Sequence, residues 1–330
     1  MIEFNSVLRK ELAEFYALRE ASLSNATLAN NRNSLLVFDR YLAEAGIVDK
    51  KLTETVIFGW MKSLKVRKPT LVNKVTLIRL FSRYLNSIGI NSFVPEIPKS
   101  ANSYVPYLFS DDELNSIFES ADNIIAVGHR ASCPYMQIEI PMVLRLLYGC
   151  GLRISEALSI EIKDVDFDGG IFILKHTKGD KQRLVPMHDS LTDILRLYCM
   201  AMGLMGKPDS PLFPSAAHER PMQKYVVRDK FTHILRETKI ALKEKPKRER
   251  GPCLHCFRHV FAFKSFAQAE IAGRTIDDSV PYLSTYLGHE SLNETAKYLK
   301  FSSDLFPQAL ERFEDYTIDV FPEVANDEEE

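Results

Sequence analysis

Residues 91–107, NSFVPEIPKSANSYVPY, carry three prolines and no hydrophobic period, and this break constrains the fold more than any other feature of the chain. Proline lacks a backbone N–H and pushes the residue before it out of the α region, so no helix or central strand runs through such a stretch. The 330-residue chain therefore divides, as its length also suggests, into two bodies. Four segments are expected: a helical domain over 1–92, a linker over 93–105, a larger domain over 106–316, and an acidic, disordered tail over 317–330.

Before the break the pattern is helical throughout. A first helix is expected over Val7–Ala21 and a second over Asn25–Ala45, with Leu28, Leu35, Leu36, Phe38, Tyr41 and Leu42 on its apolar side. Thr53 is a plausible N-cap for a third helix through Met61. Pro69 introduces a fourth, Thr70 to Ser87, whose Leu71, Val75, Ile78, Phe81 and Leu85 lie in one stripe at helical spacing. Arg79 and Arg83 point away from that stripe and are expected on the exposed side.

After the break, Ser110 and Glu113 form a capping box that opens a helix. Met136–Tyr148 reads as a helix apolar on most sides, hence buried. Gly149 and Gly151 interrupt it, and a new helix begins near Arg153. Ile171–His176 and Gln182–Met187 read as two antiparallel strands joined by Thr177–Lys181. Helices resume near Ser190, over Pro221–Thr238 and over His255–Ala269. Ser291 and Glu294 form a second capping box, placing Tyr298 in the second turn of a short helix. Asp304–Tyr316 can form one more amphipathic helix. The fold class is thus mainly α with a small antiparallel β region.

The net charge of −2 conceals an asymmetry. Residues 1–100 hold 15 basic and 9 acidic side chains, whereas residues 301–330 hold 1 and 10. From Thr55 to Pro95 there is no acidic residue at all. Lys65, Arg67, Lys68, Arg79 and Arg83 fall in that stretch and are the candidate DNA-binding residues, since an acid-free basic run suits phosphate contact. A solvated helix face is the bland alternative. No apolar run is long enough for a membrane helix and the start lacks a signal-peptide layout, so a cytoplasmic protein with no membrane partner is expected. Five scattered cysteines read as reduced thiols. Cys253 and Cys256, beside His255 and His259, resemble half a zinc site, but no second ligand pair follows, so no metal and no cofactor is expected.

Four short pieces carry chemistry: Gly151-Leu152-Arg153-Ile154-Ser155-Glu156, Thr177-Lys178-Gly179, His255-Cys256-Phe257-Arg258 and Leu287-Gly288-His289, the last followed by Tyr298. Breaking a phosphodiester without metal requires cations on the non-bridging oxygens, an in-line nucleophile and a proton for the departing oxygen. Two guanidiniums can clamp those oxygens and stay charged at physiological pH. Two arginines, two histidines, a turn lysine and a tyrosine meet these needs. Each piece alone is ordinary; together and in this order they are specific.

On these pieces the chain resembles the tyrosine recombinase (phage integrase) family. LSNATLANNRNSLLVFDRYLAEAG and KPTLVNKVTLIRLFSRYL resemble the helices of its core-binding (SAM-like) domain. GLRISE, TKGDKQRLVPM, HCFRHVFA and LGHESLNETAKYL are similar to the four boxes of its catalytic domain. The resemblance implies that Tyr298 is the nucleophile forming a 3′-phosphotyrosyl bond and that Arg153 and Arg258 clamp the scissile phosphate. It implies that Lys178 is the general acid, with Lys181 as fallback, that His255 assists proton transfer and that His289 hydrogen-bonds the phosphate. Glu156 supports these groups from behind, and His259 matches a structural position outside the catalytic set. Tyr286 and Tyr316 are next in line should Tyr298 not be the nucleophile.

The resemblance further implies a C-shaped clamp on double-stranded DNA and a homotetramer on paired sites, with sister recombinases as possible additional partners. Strands would exchange in pairs through a Holliday junction, and a helix near Phe306–Phe313 would dock on a neighbouring protomer. Within the family, ETAKYLKFSSDLFPQAL and its acidic continuation point to integration or excision of a mobile element. The alternatives are Xer-like dimer resolution, a type IB topoisomerase-like nicking-closing enzyme, and a non-catalytic DNA-binding accessory protein.

Overall fold

The structure, a computed structural model, describes residues 3–99, 106–125, 135–175, 182–215, 220–240 and 251–292, together with 294, 295 and 298. The chain forms two compact units, Met1–Asn102 and Ser103–Glu330.

The first unit contains α1 (Arg9–Glu20), α2 (Asn25–Glu44), α3 (Glu54–Ser63) and α4 (Lys68–Ser87). Thr53 caps α3 by accepting the Val56 N–H, and Pro69 sits in the first turn of α4, where its missing N–H costs nothing. The apolar stripes meet in one core: Leu8 at the N-cap of α1 with Leu12 and Phe15 from α1, Leu35, Phe38 and Leu42 from α2, Ile57 and Trp60 from α3, and Val75, Ile78, Phe81 and Leu85 from α4. Phe38 meets Trp60 edge-on at 5.1 Å and Phe81 at 6.4 Å, the arrangement that ring quadrupoles favour. The buried carboxylate of Asp39 accepts the Asn5 and Ser6 N–H groups and so fixes the approach to α1.

The proline-rich break begins later in space than its composition suggests. Ser92 exchanges two hydrogen bonds with the Asn86 side chain, the Phe93 N–H donates to the Leu52 carbonyl, and the Phe93 ring lies 6.0 Å from Phe58. The Arg79 guanidinium donates to the Pro95 carbonyl and is half-buried, which corrects the expectation of an exposed Arg79. Helical spacing placed it on the polar side, but the returning chain covers it. Lys65, Arg67, Lys68 and Arg83 are exposed as expected.

The second unit contains α5 (Asp111–Asp122), α6 (Met136–Gly149), α7 (Ile154–Ser159), α8 (Asp189–Ala201), α9 (Lys224–Glu237), α10 (Cys256–Ile271) and α11 (Ile276–Leu287). The capping box at Ser110 is formed, and the Tyr107 hydroxyl donates to the same Glu113 carboxylate at 2.6 Å. A three-stranded antiparallel sheet runs in the order β1 (Val165–Asp166), β2 (Ile171–Leu174), β3 (Arg183–Pro186). Phe172 pairs with Val185 and Leu174 with Arg183. Phe172, Leu174 and Val185 face the main core, while Leu184 faces solvent. Arg183 shares the inward side with Val185, because strand side chains alternate.

Helix α11 was not expected. Pro281 lies inside it, and a proline there removes a helical hydrogen bond. The helix is held by Thr275, which accepts the Asp278 N–H, and by packing of Val280, Leu283 and Leu287 against Ala262, Phe266 and Tyr298 in a second, smaller core. The expected helix over 304–316 and the acidic tail lie outside the described residues. No described helix is long and apolar enough to cross a membrane.

Candidate active site

Four elements bring the site together: the turn before α7, strand β3, the first turns of α10, and the end of α11 with the helical residues after it. Gly151 adopts φ +59°, and a Cβ there would fall 2.5 Å from the Phe261 ring. Only glycine suits that turn, which aims the Gly151 carbonyl at Arg258 and presents Arg153 at the N-cap of α7.

Glu156 is the electrostatic centre. It is 3% exposed and accepts the Arg153 backbone N–H at 2.8 Å and the Arg153 guanidinium at 2.9 Å. Arg183 reaches it from β3 with both terminal nitrogens, at 3.0 and 2.8 Å. Arg258 stands 3.9 Å away. Burial alone would raise the Glu156 pKa, but hydrogen bonds and charge from Arg183 and Arg153 outweigh it and bring it down to about 2. The carboxylate is therefore ionised throughout the physiological range.

Arg258 is 1% exposed. It donates to the Gly151 carbonyl at 2.8 Å and to the Leu287 carbonyl at 2.6 Å. Arg153 also donates to the Leu287 carbonyl, at 3.4 Å, so one backbone oxygen serves both guanidiniums. Burial, then repulsion from Arg153, lowers the Arg258 pKa to about 10, which leaves it charged at neutral pH.

His289 lies 3.1 Å from an Arg258 nitrogen through Nε2 and 2.7 Å from the Thr295 hydroxyl through Nδ1. Arginine only donates, so Nε2 accepts and Nδ1 carries the proton given to Thr295. Burial first, then Arg258, Arg153 and Arg183, lowers the His289 pKa to about 3, so the ring is neutral. Gly288 at φ +66° ends α11 in the left-handed conformation and turns His289 inward.

Tyr298 is buried between histidines: its ring stacks on His289 at 5.9 Å and tilts against His259 at 5.3 Å. Burial raises its pKa, while the charge and hydrogen bond of Arg258 and the charge of Arg153 oppose that rise. His255 is exposed at the start of α10, and its ring meets His259 edge-on at 4.7 Å. Thus α10 presents His259, which the sequence reading left outside the catalytic set, directly against the phenol. Tyr286 is placed differently: its hydroxyl donates to the Cys150 carbonyl at 3.2 Å and its ring stacks on Phe261.

Arg153, Glu156, Arg258, His289 and Tyr298 thus converge, with His255 one ring away. Lys178 and the fallback Lys181 lie outside the described residues. Arg183 and Thr295 were missed. A period-2 reading of Arg183-Leu184-Val185-Pro186-Met187 does contain the signal for the first, because it puts a charged residue on the side of Val185 and Met187. Thr295 carries no comparable signal. Among the described residues no cluster of three or more His, Cys, Asp or Glu side chains is placed to hold a metal.

Three guanidiniums share one carboxylate here, with a neutral histidine beside them. The surplus positive charge, opening to solvent through the 22%-exposed Arg153 side chain, suits an anionic ligand next to a phenol oxygen.

A profile of the Phage integrase family matches residues 109–303. The y4rB protein of Sinorhizobium fredii, whose name assigns it as an integrase/recombinase, is 28% identical over 323 residues, covering 94% of this chain and 98% of that protein. The tyrosine recombinase XerC of Staphylococcus carnosus is 24% identical over 293 residues, covering 86% and 89%. Among solved structures, the XerH site-specific recombinase bound to a palindromic difH substrate, a post-cleavage complex, shares the fold with a TM-score of 0.64 at 19% identity, covering 88% and 80%.

Proposed function

The chain belongs to the phage integrase family of tyrosine recombinases, enzymes that cleave and rejoin DNA, and from that premise we propose that Tyr298 carries the reaction as a covalent nucleophile. The convergence of Arg153, Arg258, His289 and Tyr298 around the Glu156 carboxylate and the Leu287 carbonyl carries this reading.

The scissile phosphate is the anion that the surplus positive charge of Arg153, Arg183 and Arg258 suits. Arg153 and Arg258 hold its non-bridging oxygens, and their fixed positions stabilise the extra charge of the pentacoordinate transition state. The Tyr298 oxygen attacks phosphorus in line, its proton leaving toward the His259–His255 pair. The bond from phosphorus to the 5′-oxygen breaks, and Lys178 supplies the proton to that oxygen. The product is a 3′-phosphotyrosyl bond and a free 5′-hydroxyl. Religation reverses each step, and because one phosphoester replaces another, no nucleotide is consumed. His289 accepts from Arg258 through Nε2; donating to a phosphate oxygen requires a proton on Nε2, which the negative charge of the phosphate favours.

The basic residues Lys65, Arg67, Lys68 and Arg83 of the first unit are the proposed backbone contacts on double-stranded DNA. We take residues 1–92 as the core-binding domain, joined through 93–105 to the catalytic domain over 106–316. The assembly is proposed as a homotetramer on paired sites in the cytoplasm, acting in integration or excision of a mobile element. Similarity to XerC along most of the chain supports dimer resolution as a second reading.

The test is a nicked suicide substrate that traps the covalent adduct. Wild-type protein should give an adduct mapped to Tyr298, and Tyr298→Phe should bind the same DNA and give none. An adduct that persists in Tyr298→Phe refutes the assignment, and its mapping decides between Tyr286 and Tyr316.

A further inference from the structure

Cys253 and Cys256 flank His255 on the turn that opens α10, and the reaction above gives them no part. Their sulfurs stand 3.6 Å apart, and the Cys253 N–H donates to the Cys256 sulfur at 3.3 Å. The turn is closed by the Cys256 N–H donating to the Cys253 carbonyl at 2.9 Å. Such a turn holds its end Cα atoms within about 7 Å, and a disulfide needs about 4.4–6.8 Å. Cys256 is buried in the main core, whereas Cys253 is only half-buried and packs at its edge.

We propose that Cys253 and Cys256 form a dithiol modification site, oxidised to an intramolecular disulfide by exchange with a small-molecule disulfide of the glutathione type. Its effect on the enzyme rests on the assignment of His255 and Tyr298 above.

The Cys253 thiolate attacks one sulfur of glutathione disulfide. A mixed disulfide forms at Cys253 and one glutathione leaves as thiolate. The Cys256 thiolate then attacks the Cys253 sulfur and expels the second glutathione. Two protein thiols are oxidised, two glutathione sulfurs are reduced, and the two thiol protons pass to the departing glutathiones. A reduced dithiol such as dithiothreitol reverses both steps.

Closing the bond draws the sulfurs from 3.6 Å to about 2.05 Å. Cys256 is anchored in the core next to Phe257, so the movement falls on the Cys253–His255 turn. His255 therefore shifts against His259 and, through that ring, against Tyr298. A misplacement of about 1 Å at a reacting group costs about 10²-fold in rate. Oxidation should slow adduct formation to that extent and leave DNA binding by the exposed basic residues of the first unit unchanged.

The experiment treats the full chain with excess glutathione disulfide, alkylates the remaining thiols, and maps the peptides by mass. Adduct formation on the nicked substrate is measured in parallel. The expected result is a Cys253–Cys256 disulfide, an adduct rate reduced about 10²-fold, and recovery with dithiothreitol. Cys253→Ser should form the adduct at the wild-type rate and keep that rate after oxidant. Both cysteines found alkylated, a mixed disulfide that stays at Cys253, or a formed disulfide with an unchanged adduct rate each overturns the proposal. Mapping needs no DNA, so a reduced enzyme that gives no adduct refutes the Tyr298 reaction while the dithiol is still decided by mass.

Discussion

Glu139 offers a direct measure of what this fold spends to bury a carboxyl group. It lies in the first turn of α6, is 0% exposed, and among the described residues neither carboxyl oxygen has a hydrogen-bond partner. Burial raises its pKa from 4.5 to about 8. The folded protein thus keeps a proton that the unfolded chain releases above pH 4.5. Stability is greatest below that pH and falls as pH rises toward 8, by about 5 kcal/mol over the whole window at about 1.36 kcal/mol per pKa unit. At pH 7 the folded carboxyl is still mostly protonated, and the loss to that point is about 3 kcal/mol. Glu139→Gln keeps the shape and removes the titration. The two proteins should be similar near pH 5, and the variant should be more stable by about 3 kcal/mol at pH 7, or about 6–12 °C in Tm for a domain of this size. Calorimetry at several pH values from 5 to 8 measures the difference. Trp60, the sole tryptophan, belongs to the other unit, so its fluorescence transition should not move and serves as the control. Parallel pH slopes for wild type and Glu139→Gln, or an equal shift in the Trp60 transition, refute the reasoning.

At Glu156 the sign reverses. Its folded pKa of about 2 lies below the unfolded 4.5, so its stabilisation is present above pH 4.5 and is lost as pH falls toward 2. Glu156→Gln should lose that acid sensitivity, be less stable at pH 7 by about 3–5 kcal/mol, and regain part of the loss in sulfate, as thermal melts would read. Gly288→Ala places a Cβ in the left-handed region and 2.9 Å from an Arg183 nitrogen. It should cost about 1–2 kcal/mol from backbone strain alone and lower adduct yield, whereas the same change at the open Gly89 should leave adduct yield intact. In the first unit, Arg67→Ala with Arg83→Ala should flatten the slope of log affinity against log salt by about 2 if both residues touch phosphates. Arg79→Ala should leave the slope unchanged and lower the melting temperature, because its guanidinium already serves Pro95.

What the sequence made legible follows from the range of the forces involved. Helical stripes and capping boxes are local, so α2, α4, α5 and the turn carrying Arg153 stand where spacing put them. Tertiary packing decides the exceptions. Pro281 argues against a helix on local grounds, and α11 exists because Val280, Leu283 and Leu287 complete a core with residues of α10. Arg79 has helical spacing typical of a solvated residue, yet a carbonyl from sixteen residues further on captures it. Within the site, the motifs supply Arg153, Arg258, His289 and Tyr298, which the fold brings together, but the partnership of Arg183 with Glu156 spans β3 and α7. Only strand alternation hints at it. The motif alone makes His259 structural, and its contact with Tyr298 arises from two helices meeting, which no spacing rule within either helix reveals.

The Leu287 carbonyl joins Arg153 and Arg258 through an atom that every amino acid possesses. Side-chain replacement at position 287 alters packing and leaves that oxygen in place, so an alanine scan will pass over it. Replacing the following amide by an ester, through chemical ligation of a hydroxy acid at position 288, weakens the carbonyl as an acceptor while keeping every side chain. The distance between the two guanidiniums is thus written in the path of the main chain. Any side chain at position 287 leaves this pairing of the two arginines in place, provided the turn at Gly288 is kept.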